Sequence, residues 1–375
     1  MIELKEVSNN RELKAFVKFP LELYKDNKYF SPPILRDEIN TLRKDKNPCF
    51  EFCEAKYFLA YREGKIVGRI AGIINHKANE IWNHKYIRFG WIDFIEDIEV
   101  AKALFMEIDK WGREAGMTHI EGPMGFSDLD KEGMLVEGFE ELSQHFAYYN
   151  YPYYPEYLEK LGFTKEVDWV EFKGTNLNFP AEMTRILELC RKRLKNYTNV
   201  EIKSHRDIQK HKTDIVNLLN IAYKDIHGYI PVNEKMFDHY FKELFYYTNL
   251  DFVSLIRDPN GVLVGFGLAM PTLSKAVKES NGRLFPTGFF KITKAFKKND
   301  SIVLILVAVQ PDLQSKGIPL LLIDDINSRL LKNGITNVEV NYMLESNINV
   351  QSLWKHFPSK RQHKRRRSYL RQITA

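Results

Sequence analysis

The chain has 375 residues, 44% of them hydrophobic and 28% charged, with a net charge of +6. That length favours two cores over one, and the mild basic excess suits an anionic ligand without demanding nucleic acid. Only Cys49, Cys53 and Cys190 occur; with no second Cys/His pair at a ligand spacing they argue against zinc and fit a reducing cytoplasm, while the polar N-terminus and the lack of an apolar run of about 18 residues leave no signal peptide, membrane span or membrane partner expected.

In chain order, "IELK" (2–5) is a short alternating strand, and a helix follows that reaches "LYKD". "YFLAYREGKIVGRIAGI" is two strands around a Glu-Gly turn. "FGWIDFIED" is a fourth strand, the helix after it ends at Gly116, and "GMTHIE" opens a fifth strand. The same landmarks then return. "VEIK" (200–203) is again a strand, its helix ends in "AYKD", "DFVSLIRDPNGVLVGFGLAM" is a hairpin and "GITNVE" starts a strand. The first landmarks recur about 200 positions on and the last about 20 later still, so the second copy carries an insertion. The candidate is "PTLSKAVKESNGRLFPTGFFKITKAFKKND". Pro180 opens a helix between the copies. We therefore expect an α/β (α+β) chain of two tandem domains, 1–175 and 199–375, joined by a helix in 176–198, each domain a mixed, mostly antiparallel sheet flanked by helices.

In the second copy the fourth strand, "IVLILVAVQP", is apolar almost throughout, and Pro311 ends it. "DLQSKGIP" then leads into a helix with Pro319 in its first turn and Leu322, Ile326 and Leu330 as its buried stripe. A strand feeding a Gly-containing loop at a helix start leaves backbone N–H groups pointing one way, which suits a phosphate or pyrophosphate. Gly317 permits close approach and Lys316 adds a charge.

Val309, Pro311, Gln314 and Gly317 match the V-x-P-x-x-[Q/R]-x-x-G-x-[G/A] motif, and with the order of elements the chain resembles the GCN5-related N-acetyltransferase (GNAT) superfamily over nearly its whole length, more narrowly a poorly characterised bacterial group of tandem proteins. Pro319 stands where the family has Gly or Ala, removing one backbone donor. The resemblance implies that acetyl-CoA or another acyl-CoA, with no metal, lies along Val307, Val309, Gln314, Ser315, Lys316, Gly317 and Ile318 between splayed fourth and fifth strands. It implies N-acyl transfer to a small-molecule or peptide amine. Glu345, Asn347 and His227 are the candidate catalytic residues, and Tyr223, Tyr229 and Glu234 the candidate acceptor contacts. Trp354 stands where many members place a Tyr that acts as acid.

The first copy has Asp and Glu at the corresponding helix start, so any acyl-CoA is expected in the second copy only. "EGPMGFSD" (121–128) reads as a tight loop lining the cleft between the halves, and "YYNYPYYPEYLEKLGF" as a packed surface loop. "KRQHKRRRSYLR" reads as a final strand whose alternate charges face solvent. Acyl transfer leads; a degenerate fold that only binds ligand, and a nucleic-acid binder, stay open beside it.

Overall fold

The computed structural model describes residues 1–175, 178–247, 249–348, 351 and 359–373. The chain forms two compact units, one of 1–169, 274–291 and 364–375 and the other of 170–273 and 292–363.

The first half of the sequence runs β1 (Glu3–Glu6), α1 (Asn10–Leu23), α2 (Leu35–Thr41), β2 (Cys53–Arg62), β3 (Lys65–Asn75), α3 (His76–Ile81), β4 (Tyr86–Phe94), α4 (Ile98–Glu114), β5 (His119–Gly122), β6 (Met134–Glu137), α5 (Tyr153–Lys160) and β7 (Thr164–Thr175). The second runs α6 (Ala181–Arg193), β8 (Thr198–Asn199), α7 (His205–Lys210), α8 (Lys212–Tyr223), α9 (Glu234–Tyr247), β9 (Val253–Arg257), β10 (Leu263–Pro271), α10 (Ser274–Glu279), α11 (Gly288–Lys297), β11 (Ser301–Val309), α12 (Ile318–Lys332), β12 (Asn337–Val340), β13 (Met343–Leu344) and β14 (Arg361–Gln372). Pro180 caps α6, as its fixed φ allows.

In the first unit β1, β2, β3 and β4 are antiparallel neighbours and β5 is parallel to β4. The last strand of the chain completes this sheet, Tyr369–Gln372 of β14 pairing antiparallel with β5. The second unit repeats the plan: β8 to β11 are antiparallel, β12 is parallel to β11, and Lys173–Thr175 of β7 pair with β12. Strand β8 lies two residues before the expected 200–203. Thr198 and Asn199 pair with β9 and the Val200 N–H still reaches the Leu255 carbonyl, but the ladder ends there, and the backbone donors of Lys203 and Ser204 turn to the Asp207 carboxylate that caps α7.

Each unit closes its core the same way. Helix α4 lies so close on β3 that a Cβ at Gly68 would come 2.8 Å from Val100, and α12 so close on β10 that one at Gly265 would come 2.5 Å from Leu322. Missing side chains in the third strand thus set the helix–sheet distance in both copies. Around them cluster Ile70, Leu104 and Ile108 in the first unit and Ile256, Leu322 and Ile326 in the second.

The basic C-terminal strand corrects an expectation. Its charges do not alternate into solvent: Arg366 is fully buried and donates to the Tyr148 carbonyl. Arg367 forks onto Asp168 at 2.8 and 3.1 Å, Arg365 reaches the same carboxylate, and Arg371 holds Asp109 and stacks on Phe163. Burial pushes the Asp168 carboxyl up, but Arg367 and Lys165 outweigh it and hold it below the usual range. From Lys364 onward the run that read as a solvated strand is internal wiring of the first unit.

Candidate functional site

Strand β11 pairs with β12 only from Ser301 to Leu304. Beyond that the strands part. Opposite β10 the register slips at Ile305, which has no partner. Such a bulge turns the strand, and Ile305, Leu306 and Val307 become half-exposed in an otherwise buried strand. The Gln310 N–H goes to the Val264 carbonyl, which fixes the alternation. Val307 and Val309 therefore turn their backbone groups away from β10, into the opening. Their carbonyls accept from the Tyr223 hydroxyl at 3.1 Å and the Gln314 amide at 3.2 Å, and their N–H groups face the same way.

The loop after β11 delivers the chain to the start of α12. Gly317 is its N-cap, at φ 97°, in the left-handed region that favours glycine. Among the first donors of the helix, Pro319 has no N–H, which leaves those of Ile318 and Leu320, while the Leu321 N–H already bonds the Gly317 carbonyl. Gln314, Ser315 and Lys316 are exposed. Lys316 sits 3.8 Å from Asp312, a pair too open to hold it. The Ile318 side chain is fully buried, so only its backbone can meet a ligand. Gly317 has a packing role that the sequence did not announce: a Cβ there would lie 2.7 Å from the Cys190 sulfur on α6. Its smallness lets α6 pack on the loop, so a larger residue disturbs that packing before it reaches any ligand.

The other candidate residues divide into two groups. Tyr223, at the end of α8, is joined to the opening through Val307. His227 follows it, half-buried. Glu345 is exposed and Asn347 half-buried, in the turn after β13. Tyr229 is a core residue, its hydroxyl donating to Asn220 at 2.7 Å and its ring edge-on to Tyr223. Glu234 is engaged elsewhere, accepting from Thr213 at 2.6 Å and facing Lys212 at 3.3 Å. The Thr213 hydrogen bond leads in holding its carboxyl below the usual range. Trp354 lies outside the described residues. No group of three or more His, Cys, Asp or Glu side chains among the described residues is arranged to hold a metal.

In the first unit the corresponding opening exists and is filled. Strand β4 pairs with β5 only over Tyr86–Arg88, yet Phe89 to Phe94 are all buried. The Met124 N–H takes the Phe89 carbonyl, the Tyr148 hydroxyl accepts from the Trp91 N–H at 2.9 Å, and the Tyr154 hydroxyl accepts from the Phe94 N–H at 2.9 Å. The Tyr154 ring stacks on Phe94 at 4.2 Å. The tyrosine-rich segment expected at the surface is thus a plug. The Gly-rich loop at 121–128 is likewise core: Met124, Phe126 and Ser127 are fully buried, and Asp130 accepts from the Phe126 and Ser127 N–H groups.

Behind that loop lies a cluster that sequence reasoning missed. Glu132 is buried and one of its oxygens meets no donor among the described residues. Burial first, then Asp128, pushes its carboxyl well above the usual range. His145 is buried too, and burial, reinforced by Lys131, lowers it to about 4. Three acids at alternate positions, Asp128, Asp130 and Glu132, in a Gly-bounded segment were the available signal.

No protein-family model matches the chain. Over 97% of its length it is 26% identical to the protein YghO of Escherichia coli K12, covering 94% of that protein. It is 25% identical to a bacterial ceramide synthase of Caulobacter vibrioides, over 91% of this chain and 90% of that one. Among solved structures it superposes on a tandem GNAT protein from the clavulanic acid biosynthesis pathway, with a TM-score of 0.60 and 11% identity, over 100% of this chain and 99% of the other. A probable N-acyltransferase from Enterococcus faecalis gives a TM-score of 0.53 at 6% identity, over 100% and 73%. Two units of one plan, each with a fourth strand that bulges and parts from the fifth, and superposition over the full chain make this, by its fold, a tandem GNAT-like protein.

Proposed function

We propose that the chain is an acyl-CoA-dependent N-acyltransferase that moves an acetyl or longer acyl group to an amine, and that its second unit alone holds the acyl-CoA. The observation that carries this reading is the opening between β11 and β12, with the Val307 and Val309 N–H groups turned into it and an exposed Ser315–Lys316 loop at the helix start beyond. These residues fit the group: the strand edge suits the amide-bearing arm, the loop and the Ile318 N–H suit the pyrophosphate, and Lys316 suits its charge. Acyl-CoA supplies the acyl group as an activated thioester.

The residues then have distinct tasks. The Val307 N–H polarises the thioester carbonyl as charge grows on its oxygen. His227 or Glu345 takes a proton from the attacking amine, directly or through water, with Asn347 orienting the acceptor. Tyr223, held at the Val307 carbonyl, is a described hydroxyl on this edge that can return a proton to the thiolate as the C–N bond forms and the C–S bond breaks. Holding both reactants in register supplies much of the rate.

The relative named a ceramide synthase favours a long-chain amine as acceptor, because a ceramide is the amide of such an amine. The reading places the work in the cytoplasm. It takes 1–175 and 199–375 as two copies joined through 176–198, of which the first has closed its cleft. A second reading, ligand binding without turnover, is favoured by Pro319 and its missing donor.

The deciding experiment is titration calorimetry of the full chain with acetyl-CoA and a long-chain acyl-CoA, followed by transfer assays. Binding that Lys316→Glu weakens supports the site. Replacing Val307 by Pro removes the polarising N–H and should lower transfer about 100-fold with binding retained. No heat and no thermal shift with any acyl-CoA overturns both readings, and binding without transfer selects the second.

A further inference from the structure

Eighteen residues of the second copy's insertion, 274–291, belong to the first unit. They are fastened there. The Gly282 carbonyl accepts from the Leu35 N–H at 2.9 Å, the Ser31 hydroxyl donates to the Ser274 carbonyl at 2.9 Å, and Ser274 donates to Gln144 at 3.0 Å. At Gly282, φ 69°, a Cβ would stand 2.2 Å from the Pro33 carbonyl oxygen, so contact with the start of α2 is backbone on backbone.

Beyond this anchor the chain presents phenylalanines outward. Phe285 is 75% exposed, Phe290 72% and Phe289 38%. They form one patch: the Phe285 and Phe289 rings are parallel at 6.4 Å, and Phe290 meets Phe289 edge-on at 5.8 Å. Beside the patch a cleft of about 390 Å³ runs between α2 and the loop, lined by Leu35, Ile39, Leu284 and Phe285. Its rim carries Arg36, Arg43 and Arg283. Arg43 is held by Asp45 at 2.6 Å and nearby Lys291 faces Glu279 at 3.5 Å. Arg36 and Arg283 are exposed and meet no carboxylate among the described residues. Helix α11, which carries Phe289 and Phe290, has no acidic residue.

Contiguous exposed rings mark a contact surface. Here they stand at a loop tip, flanked by two guanidinium groups, those of Arg36 and Arg283, that no carboxylate among the described residues matches. An interface that offers both an apolar layer and phosphates just above it complements this arrangement: rings enter, and long cationic side chains stay at headgroup level. We propose that this face docks on the surface of an anionic lipid bilayer. No helix among the described residues is long and apolar enough to cross a membrane, so the contact is peripheral. The proposal departs from the expectation of no membrane partner, and it stands apart from the acyltransferase reading because it needs no turnover.

The test is co-sedimentation of the full chain with vesicles of phosphatidylcholine alone and of phosphatidylcholine with phosphatidylglycerol. Binding should require the anionic lipid and fall with added salt. The double variant Phe285→Ser, Phe290→Ser should lose it, and Arg36→Gln with Arg283→Gln should weaken it by about fivefold per arginine. Both change exposed side chains, and unchanged melting curves confirm the fold. A Phe285→Trp variant should shift its emission to the blue on anionic vesicles. Failure to bind anionic vesicles, or binding unchanged in the phenylalanine variant, overturns the proposal. Self-association of the wild type that the same variant abolishes, without vesicle binding, assigns the patch to a second copy instead.

Discussion

The two partings of fourth and fifth strand are built alike and finished differently. In the first unit Tyr148 and Tyr154 satisfy the freed N–H groups of β4 with their hydroxyls and fill the space with their rings. In the second, Val307 and Val309 face an opening bordered by half-exposed Ile305 and Leu306, and among the described residues the side-chain hydrogen bonds go to their carbonyls. One sheet geometry thus yields a core when its edge donors are answered internally, and an opening, proposed above as the acyl-CoA site, when they are not.

If that contrast is real, truncation should hurt one side far more. Tyr154→Ala should cost about 3–5 kcal/mol in urea unfolding, while Leu306→Ala should cost under about 1 kcal/mol. Equal costs would mean that the second opening is as filled as the first. A pH experiment sharpens the plug further. His145 is lowered from its ordinary 6.5 to about 4 by burial and Lys131. Between those values the unfolded chain binds a proton that the folded one refuses. Stability should therefore fall as pH drops from 6.5 toward 4, by up to about 3 kcal/mol, and His145→Gln should remove that part of the slope. A slope identical in the variant would show that the imidazole is not sealed off.

Tyr148→Phe keeps the ring and strands the Trp91 N–H, so a loss of about 1–3 kcal/mol is expected by denaturation. In the second unit Tyr223→Phe releases a half-buried carbonyl and should cost only about 0.5–1.5 kcal/mol. Its larger effect should be on acyl transfer, measured as kcat against KM. A fall in kcat with KM unchanged marks the hydroxyl as a proton donor, and no change in either removes it from the chemistry.

Much of the architecture was legible because strands and turns write themselves locally. Apolar 301–309, Pro311 and the Pro319 start gave β11 and α12, and "VGRIAGI" against "VLVGFGLAM" gave the repeat. What was not legible depended on partners distant in sequence. Nothing around Arg365–Arg367 announces Asp168, so a neutralised internal strand read as a solvated one. Nothing in the tyrosine run reveals that its hydroxyls end on β4. The motif located the loop of the proposed site, in which Gln314, Ser315 and Lys316 are exposed between β11 and α12. Tyr229 and Glu234 were read by position alone, and Asn220 and Thr213 hold them.

The pairing of Tyr369 with Gly122 has a consequence for how the molecule is made. Strand β5 waits for a neighbour encoded about 250 residues later, a loop closure slow to find and late to be synthesised. While the ribosome translates the second copy, at roughly 5–20 residues per second, the nascent first unit carries a bare strand edge for tens of seconds. Such an edge recruits any passing strand. The charges on β14 therefore act in assembly as well as in the finished fold: Arg367 and Arg371 find Asp168 and Asp109 already in place, and a segment without them lacks the key.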